Sequence, residues 1–178
     1  MKMLNSPVKI RPFHIKDFIK LHTTYDHASE QLKKFFGRDF MGFKNINIKW
    51  LIRNLALLLS SNNMIRKILY YKMRFLSLIA INEKNNEIIG FCYLKINQKI
   101  TKYEYSAVLG IFVKEKYQNM GIGTEMMKSL INLGKQNNIK CIRLTVHIKN
   151  VRAIKFYIKN NFTPTLRIGN VLEMEKWL

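Results

Sequence analysis

Two cysteines are too few to staple this chain or to build a thiolate metal centre, and they lie in separate β-patterned runs, Phe91-Cys92-Tyr93 and Lys140-Cys141-Ile142. Both read as buried free thiols, which suits a reducing compartment. His14, His22, His27 and His147 are scattered rather than clustered at ligand spacing, so no metal site is expected. Long hydrophobic runs are also missing. The most apolar stretch, residues 50–59, is interrupted by Arg53 and Asn54 and is far too short to span a bilayer. The N-terminus shows no apolar signal segment. Prolines number only three, and neither a repeat nor a low-complexity linker divides the chain, so residues 1–178 read as one domain without a membrane span. A cytoplasmic location is expected.

Acidic residues are scarce as well: 11 Asp and Glu against 31 Lys and Arg give a formal net charge of +20. That balance favours anionic partners, among them nucleotide phosphates, nucleic acid or an acidic surface. A sequence heavy in Lys, Ile and Asn throughout gives the same balance by compositional bias, so charge does not name a substrate.

Periodicity orders the chain. Residues 8–11 read as a first strand stopped by Pro12. Residues 15–25, 29–36 and 46–59 carry helical spacing, Ser29 standing as an N-cap and Gly37 as a stop. Residues 65–74 fit either a helical end or a connection. Apolar strands follow at 75–82 and 87–97 around a turn at 83–86, then at 104–113. Residues 124–137 form an amphipathic helix with Met126, Met127, Leu130, Ile131 and Leu133 as its buried stripe. A strand at 139–146, a helix at 151–159 and a closing strand at 171–177 complete the pattern. Hairpins followed by β-α-β crossovers imply a mixed sheet with helices on its faces, and the crossover from 108–113 to 139–146 should be right-handed and parallel.

One junction carries chemistry. Gln118-Asn119-Met120-Gly121-Ile122-Gly123-Thr124 follows the β-branched run ending at Val113 and opens a helix. Glycines allow a tight turn, and the first helical turn adds unpaired N–H donors at the positive end of the dipole. The result is a cradle for phosphate, although such turns often only join a strand to a helix. Downstream, Asn150 precedes a helix carrying Ala153, Phe156 and Tyr157 and ending at Asn160-Asn161-Phe162. Asn150 alone reads as a cap, and Tyr157 alone as a packing residue.

Together, in register across one β-α-β unit, the two segments resemble the GNAT superfamily of N-acetyltransferases, with its (Q/R)xxGx(G/A) acetyl-CoA turn and its NxxAxx(F/L)YxxxGF segment. The close match covers residues 108–162; the 8–12 strand and the 75–97 hairpin fit the family's order loosely. The resemblance implies an α/β (α+β) fold: a central mixed, mostly antiparallel, twisted sheet of six to seven strands flanked by helices, with an enlarged helical segment between the first and second strands. It implies acetyl-CoA as cosubstrate and no metal. Backbone groups of Ile111, Phe112 and Val113 would pair with the pantetheine arm. Those of Gln118, Asn119, Met120, Gly121, Ile122, Gly123 and Thr124 would hold the pyrophosphate. Asn150 and Ala153 would lie against the cofactor at the start of the second helix, and Tyr157 would protonate the departing thiolate.

Three positions depart from the family pattern. Asn161 replaces the glycine before Phe162, so an asparagine must accept a positive φ there. Ala107 and Thr145 occupy the places where some members carry a glutamate base. Glu104, Tyr105 and His147 remain as candidates, or a water chain with no single protein base; His147 shares its strand face with Thr145, and imidazole is a common proton-transfer group.

The acceptor side is expected to come from residues 14–74, with Phe35, Phe36, Phe40, Phe43 and Trp50. The expected reaction is direct attack of a primary amine in a ternary complex. The positive charge disfavours a polycationic acceptor, so a peptide or protein amine is favoured over a small amine such as a polyamine, amino acid or drug-like amine. A non-catalytic acyl-CoA or RNA-binding module is the reading from another class. A monomer or a homodimer is expected.

Overall fold

The computed structural model describes residues 7–27, 75–96 and 105–178. The predicted helices at 29–36 and 46–59, the 65–74 segment, the aromatics between Phe35 and Trp50, and Glu104 lie outside the described residues. Packing groups the chain into two compact units, residues 1–13 with 76–178 and residues 14–75.

In the second unit, the predicted helix over 15–25 is a 3-10 turn, Ile15–Asp17, followed by α1, Phe18–Asp26. The buried Asp17 fixes its start: its carboxylate accepts the His14 N–H at 2.9 Å, and its own N–H returns to the His14 carbonyl at 2.8 Å. That reciprocal pair satisfies donors a helix start would otherwise leave open.

The first unit is built on seven strands: β1 Val8–Pro12, β2 Phe75–Asn82, β3 Glu87–Ile96, β4 Ser106–Val113, β5 Cys141–His147, β6 Thr163–Ile168 and β7 Val171–Trp177. Their order is β1-β2-β3-β4-β5-β7-β6. The pairs β1–β2, β3–β4, β5–β7 and β6–β7 are antiparallel, and β4–β5 is parallel, as the crossover requires. The crossover helix α2, Ile122–Gln136, leads from β4 to β5, and α3, Val151–Lys159, follows β5.

Alternation sets the faces. Cys92 and Leu94 stand opposite Ile111 and Leu109 and bury against the α2 stripe, where Met126, Met127 and Leu130 are fully enclosed. The Cys92 Sγ lies 4.0 Å from the Met126 carbonyl, and burial pushes its thiol well above the ordinary range. Both cysteines are free and buried. Among the described residues, no helix is long and apolar enough to cross a membrane.

Asparagines shape the β2–β3 turn. The Asn82 carbonyl oxygen of the side chain accepts the Lys84 N–H at 3.0 Å, that of Asn85 accepts the Glu87 N–H at 3.2 Å, and Asn86 takes φ 54°.

Several boundaries differ from the sequence reading, each for a local reason. Pro12 is the last residue of β1 rather than a stop before it, because β1 is an edge strand and loses no ladder bond there. β4 begins at Ser106 rather than 104, after Tyr105 turns the chain at φ 62°. α2 starts at Ile122 because Gly121, at φ 82°, itself ends the turn. β5 starts at Cys141 because Asn138 is left-handed and the Ile139 N–H closes the helix on the Gly134 carbonyl at 3.0 Å. β6 was not expected: its six residues are all exposed and include Pro164, so no alternation marks it.

Candidate active site

The site grows from the place where two parallel strands part. Ser106, Ala107 and Val108 pair with Cys141, Ile142 and Arg143, and the Lys140 N–H reaches the Tyr105 carbonyl at 2.8 Å. The ladder between β4 and β5 ends at Val108 and Arg143. Beyond it β4 stays paired with β3 through Val113, while β5 stays paired with β7 through His147. The strands form a fork, and the inner edge of β4 over residues 109–113 has backbone N–H and C=O groups turned toward the opening. Such an edge accepts an extended, amide-bearing ligand as an added strand.

The glycine turn lies at the open end. A 3-10 turn, Glu115–Tyr117, follows β4. Asn119 then takes φ 64° and Gly121 φ 82°, and α2 begins. A Cβ built on Gly121 would meet nothing within 4 Å, so glycine is required there for its backbone angle and not for space. At Gly123 the nearest atoms to a built Cβ are the Phe156 ring at 3.5 Å and Val113 at 3.8 Å, an ordinary contact that alanine would also fit.

Glu87 anchors the approach to this turn. Its carboxylate accepts Lys114 Nζ at 2.7 Å, the Tyr117 hydroxyl at 2.7 Å and Lys116 Nζ at 3.2 Å. Asn82 adds a hydrogen bond to the Tyr117 oxygen at 3.3 Å. Partial burial works against the charge, but the three donors outweigh it and hold the carboxyl down to about 2.

The start of α3 closes on the same place. The Asn150 side-chain oxygen accepts the Ala153 N–H at 3.2 Å as an N-cap. Arg152, in the first turn, donates to the Gln118 side-chain oxygen, and Gln118 Nε2 donates to the Val113 carbonyl at 2.6 Å. A cation in a first helical turn opposes the helix dipole. Here it instead links α3, the turn and the end of β4.

Tyr157 lies deeper, only 9% exposed, between Phe156 and Phe162 at ring distances of 5.5 and 5.8 Å. Burial, and secondarily the neighbouring Tyr93 phenol, pushes its pKa well above the ordinary tyrosine value. Its hydroxyl therefore stays protonated at neutral pH.

A model of the acetyltransferase (GNAT) family matches residues 53–162. The chain belongs to the GNAT family. Over 96 residues it is 29% identical to an uncharacterized N-acetyltransferase of Methanocaldococcus jannaschii, a match covering 53% of this chain and 42% of that protein. The aligned part thus spans less than half of that relative. Among solved structures, a GNAT acetyltransferase of Streptococcus pneumoniae is similar at TM-score 0.69 and 20% identity, covering 97% of this chain and 100% of the other. The PaiA N-acetyltransferase of Thermoplasma acidophilum, in complex with coenzyme A, is similar at 0.65 and 23% identity, covering 97% and 99%. A putative acetyltransferase of Salmonella typhimurium with its cofactor acetyl-CoA is similar at 0.66 and 14% identity, covering 97% and 94%. At these identities the likeness is one of fold: the GNAT sheet, with seven strands here.

Within that fold, Ile111, Phe112 and Val113 lie along the fork, and the 118–124 turn is tied to them and to the α3 start through Gln118, Arg152 and Phe156. The base candidates are not gathered. Tyr105 is exposed at the closed end, before the first paired residue, whereas His147 ends β5 at the open end. The His147 Nδ1 accepts the Lys149 N–H at 3.1 Å, which puts the proton of the neutral ring on Nε2. Ala107 is fully buried, and Thr145 is exposed on the face of β5 that carries Arg143 and His147. Asn161 adopts φ 62°, doing the work of the glycine found elsewhere in the family.

Sequence reasoning missed Glu87 and Tyr93. Glu87 had a faint signal, an acid at a turn exit in a chain poor in acids. Tyr93 had none, because its importance comes from register.

Proposed function

We propose that the chain is an acetyl-CoA-dependent N-acetyltransferase that acts as one domain and moves an acetyl group to a primary amine by direct attack in a ternary complex, with a peptide or protein amine favoured. The observation that carries this reading is the fork: an open strand edge, a left-handed turn and helix start at its mouth, and a buried phenol behind it. The residues fit the donor. An open edge over 109–113 matches the two amides of a pantetheine arm, and the 118–124 turn with Arg152 nearby offers N–H groups and positive charge to a diphosphate.

When bound, acetyl-CoA supplies an activated acetyl thioester. The chain's own work is to hold it and to move protons. Backbone groups of Ile111, Phe112 and Val113 fix the arm, a positioning effect that can remove a large part of the barrier. Asn150 and Ala153 keep the α3 start in place beside it. As nitrogen bonds to the carbonyl carbon and the carbon–sulfur bond breaks, the Tyr157 hydroxyl gives its proton to the sulfur, and the proton released by the amine restores the phenol through water. A phenol with a raised pKa stays protonated for that step. The amine proton leaves by water, because Ala107 and Thr145 hold no carboxylate at the family's base positions; Glu104 and His147 are the side chains to test as relays. The strong positive charge repels polycations and supports a peptide or protein amine as acceptor.

A panel of peptides and small amines, assayed for free thiol released from acetyl-CoA, tests the reading. Turnover with a peptide or protein amine is the expected result. Turnover with small amines alone would replace the acceptor class. Absence of acetyl-CoA binding by calorimetry, together with RNA binding in physiological salt, would overturn the enzyme.

A further inference from the structure

Register places Tyr93 of β3 directly opposite Gly110 of β4. A Cβ built on Gly110 would lie 2.3 Å from Tyr93 Cε1, 2.5 Å from Cζ and 2.8 Å from the hydroxyl oxygen. The tyrosine ring therefore occupies the space that a side chain at 110 would fill, and only glycine admits it there. The ring is backed by aromatic neighbours: Phe91 at 5.9 Å, itself met edge-on by Phe13 at 5.7 Å. Phe91 braces the ring from its own strand.

Its place along the fork gives it meaning. Val108 is the last residue of β4 paired with β5, so Gly110 lies just inside the opening, near the closed end. On the reading proposed above, an acyl-CoA with its diphosphate at residues 118–124 and its arm along Val113, Phe112 and Ile111 runs back toward the start of β4. Its acyl end then arrives at Gly110. Tyr157 is a neighbour of this ring, since the Tyr93 phenol adds to the burial that raises the Tyr157 pKa.

We propose that Tyr93, laid across Gly110, is the wall that limits acyl length, admitting acetyl and turning away longer chains. This rests on the acyl-CoA reading of the fork. An aromatic ring over a strand glycine also stabilises a sheet, and the test separates that role from a wall.

Calorimetry on the full chain with CoA, acetyl-CoA and butyryl-CoA needs no knowledge of the acceptor. The wild type is expected to bind butyryl-CoA about tenfold or more weakly than acetyl-CoA, the penalty of methylenes that meet a fixed wall. Tyr93→Ala is expected to bring the two within about threefold of each other. Tyr93→Phe, which keeps the ring, retains the wild-type ratio. If Tyr93→Ala does not fold, Tyr93→Val keeps a strand-favouring residue and still removes the ring. A loss of packing alone weakens both ligands together and leaves their ratio unchanged. An unchanged ratio in a ring-less variant that binds CoA, or equal affinities in the wild type, overturns the wall. Failure of the wild type to bind CoA at all overturns instead the reading of the fork on which the wall depends.

Discussion

Replacing Glu87 by glutamine keeps the shape of the side chain and removes the charge that gathers Lys114, Lys116 and Tyr117. The carboxyl is lowered from its usual 4.5 to about 2, so the folded state prefers the ionised form. A shift of that size corresponds to at most about 3.5 kcal/mol, at about 1.4 kcal/mol per pKa unit. Solvent screens much of it: the Glu87 side chain is 21% exposed and that of Lys116 is 62% exposed. The expected loss on Glu87→Gln at pH 7 is therefore about 1–2 kcal/mol. Because the folded-state pKa is depressed, this stability is present above 4.5 and is lost as pH falls toward about 2. Urea unfolding of both proteins at pH 7, 4.5, 3 and 2.5 checks it. The difference should be full at neutral pH, begin to shrink near 4.5 and fall to about a quarter of its full size at pH 2.5. A constant difference at every pH would refute the electrostatic account, leaving only shape or packing. A functional consequence accompanies the thermodynamic one. Lys114 and Tyr117 lead directly into the glycine turn, so Glu87→Gln should weaken CoA binding several-fold while the fold persists.

Tyr157→Phe keeps the ring packing against Phe156 and Phe162 and should lower kcat about a hundredfold with little change in CoA affinity, which steady-state kinetics and calorimetry separate. Since burial raises the phenol's pKa, wild-type kcat should show no alkaline loss from this group up to the ordinary tyrosine value of 10.0; a fall well below that pH, abolished in Tyr157→Phe, would contradict the raised pKa, and an unchanged kcat in Tyr157→Phe would contradict the donor role. Gly121→Ala, at φ 82°, should destabilise the chain by about 1–2 kcal/mol and weaken CoA binding, whereas Gly123→Ala should be tolerated, a contrast visible by thermal denaturation with and without CoA. Asn150→Ala removes the cap on Ala153 and should cost about 1 kcal/mol, while Asn150→Ser recovers most of it in the same urea assay.

What could be read from the chain alone was whatever local spacing encodes. The Asn-rich turn between β2 and β3, the Met126–Leu130 stripe of α2 and the Asn150 cap each announce themselves within a few residues. The glycine turn and Tyr157 were legible as a pair because a single β-α-β unit fixes their separation. Features made by pairing between distant segments were not. Where the β4–β5 ladder ends depends on register, and nothing in Val108 or Arg143 marks it. Tyr93 lies over Gly110 only because two strands align, and Glu87 meets Tyr117 only because the hairpin passes the turn. β6 escaped notice for the opposite reason: exposed on both faces, it has no buried side to impose an alternation, although Gly169-Asn170 is a hairpin signal.

The short ladder between β4 and β5 has a mechanical consequence. Two antiparallel ribbons, β1 to β4 and β5 to β7, meet along three residue pairs and a helical crossover, so the sheet carries a seam through its middle. Seams of this kind open before the ribbons themselves, because fewer hydrogen bonds must break. A strand-like ligand laid in the fork would lengthen the join from one side. Occupancy would then act as mortar as well as substrate, coupling the concentration of acyl donor to the cohesion of the domain through mass action.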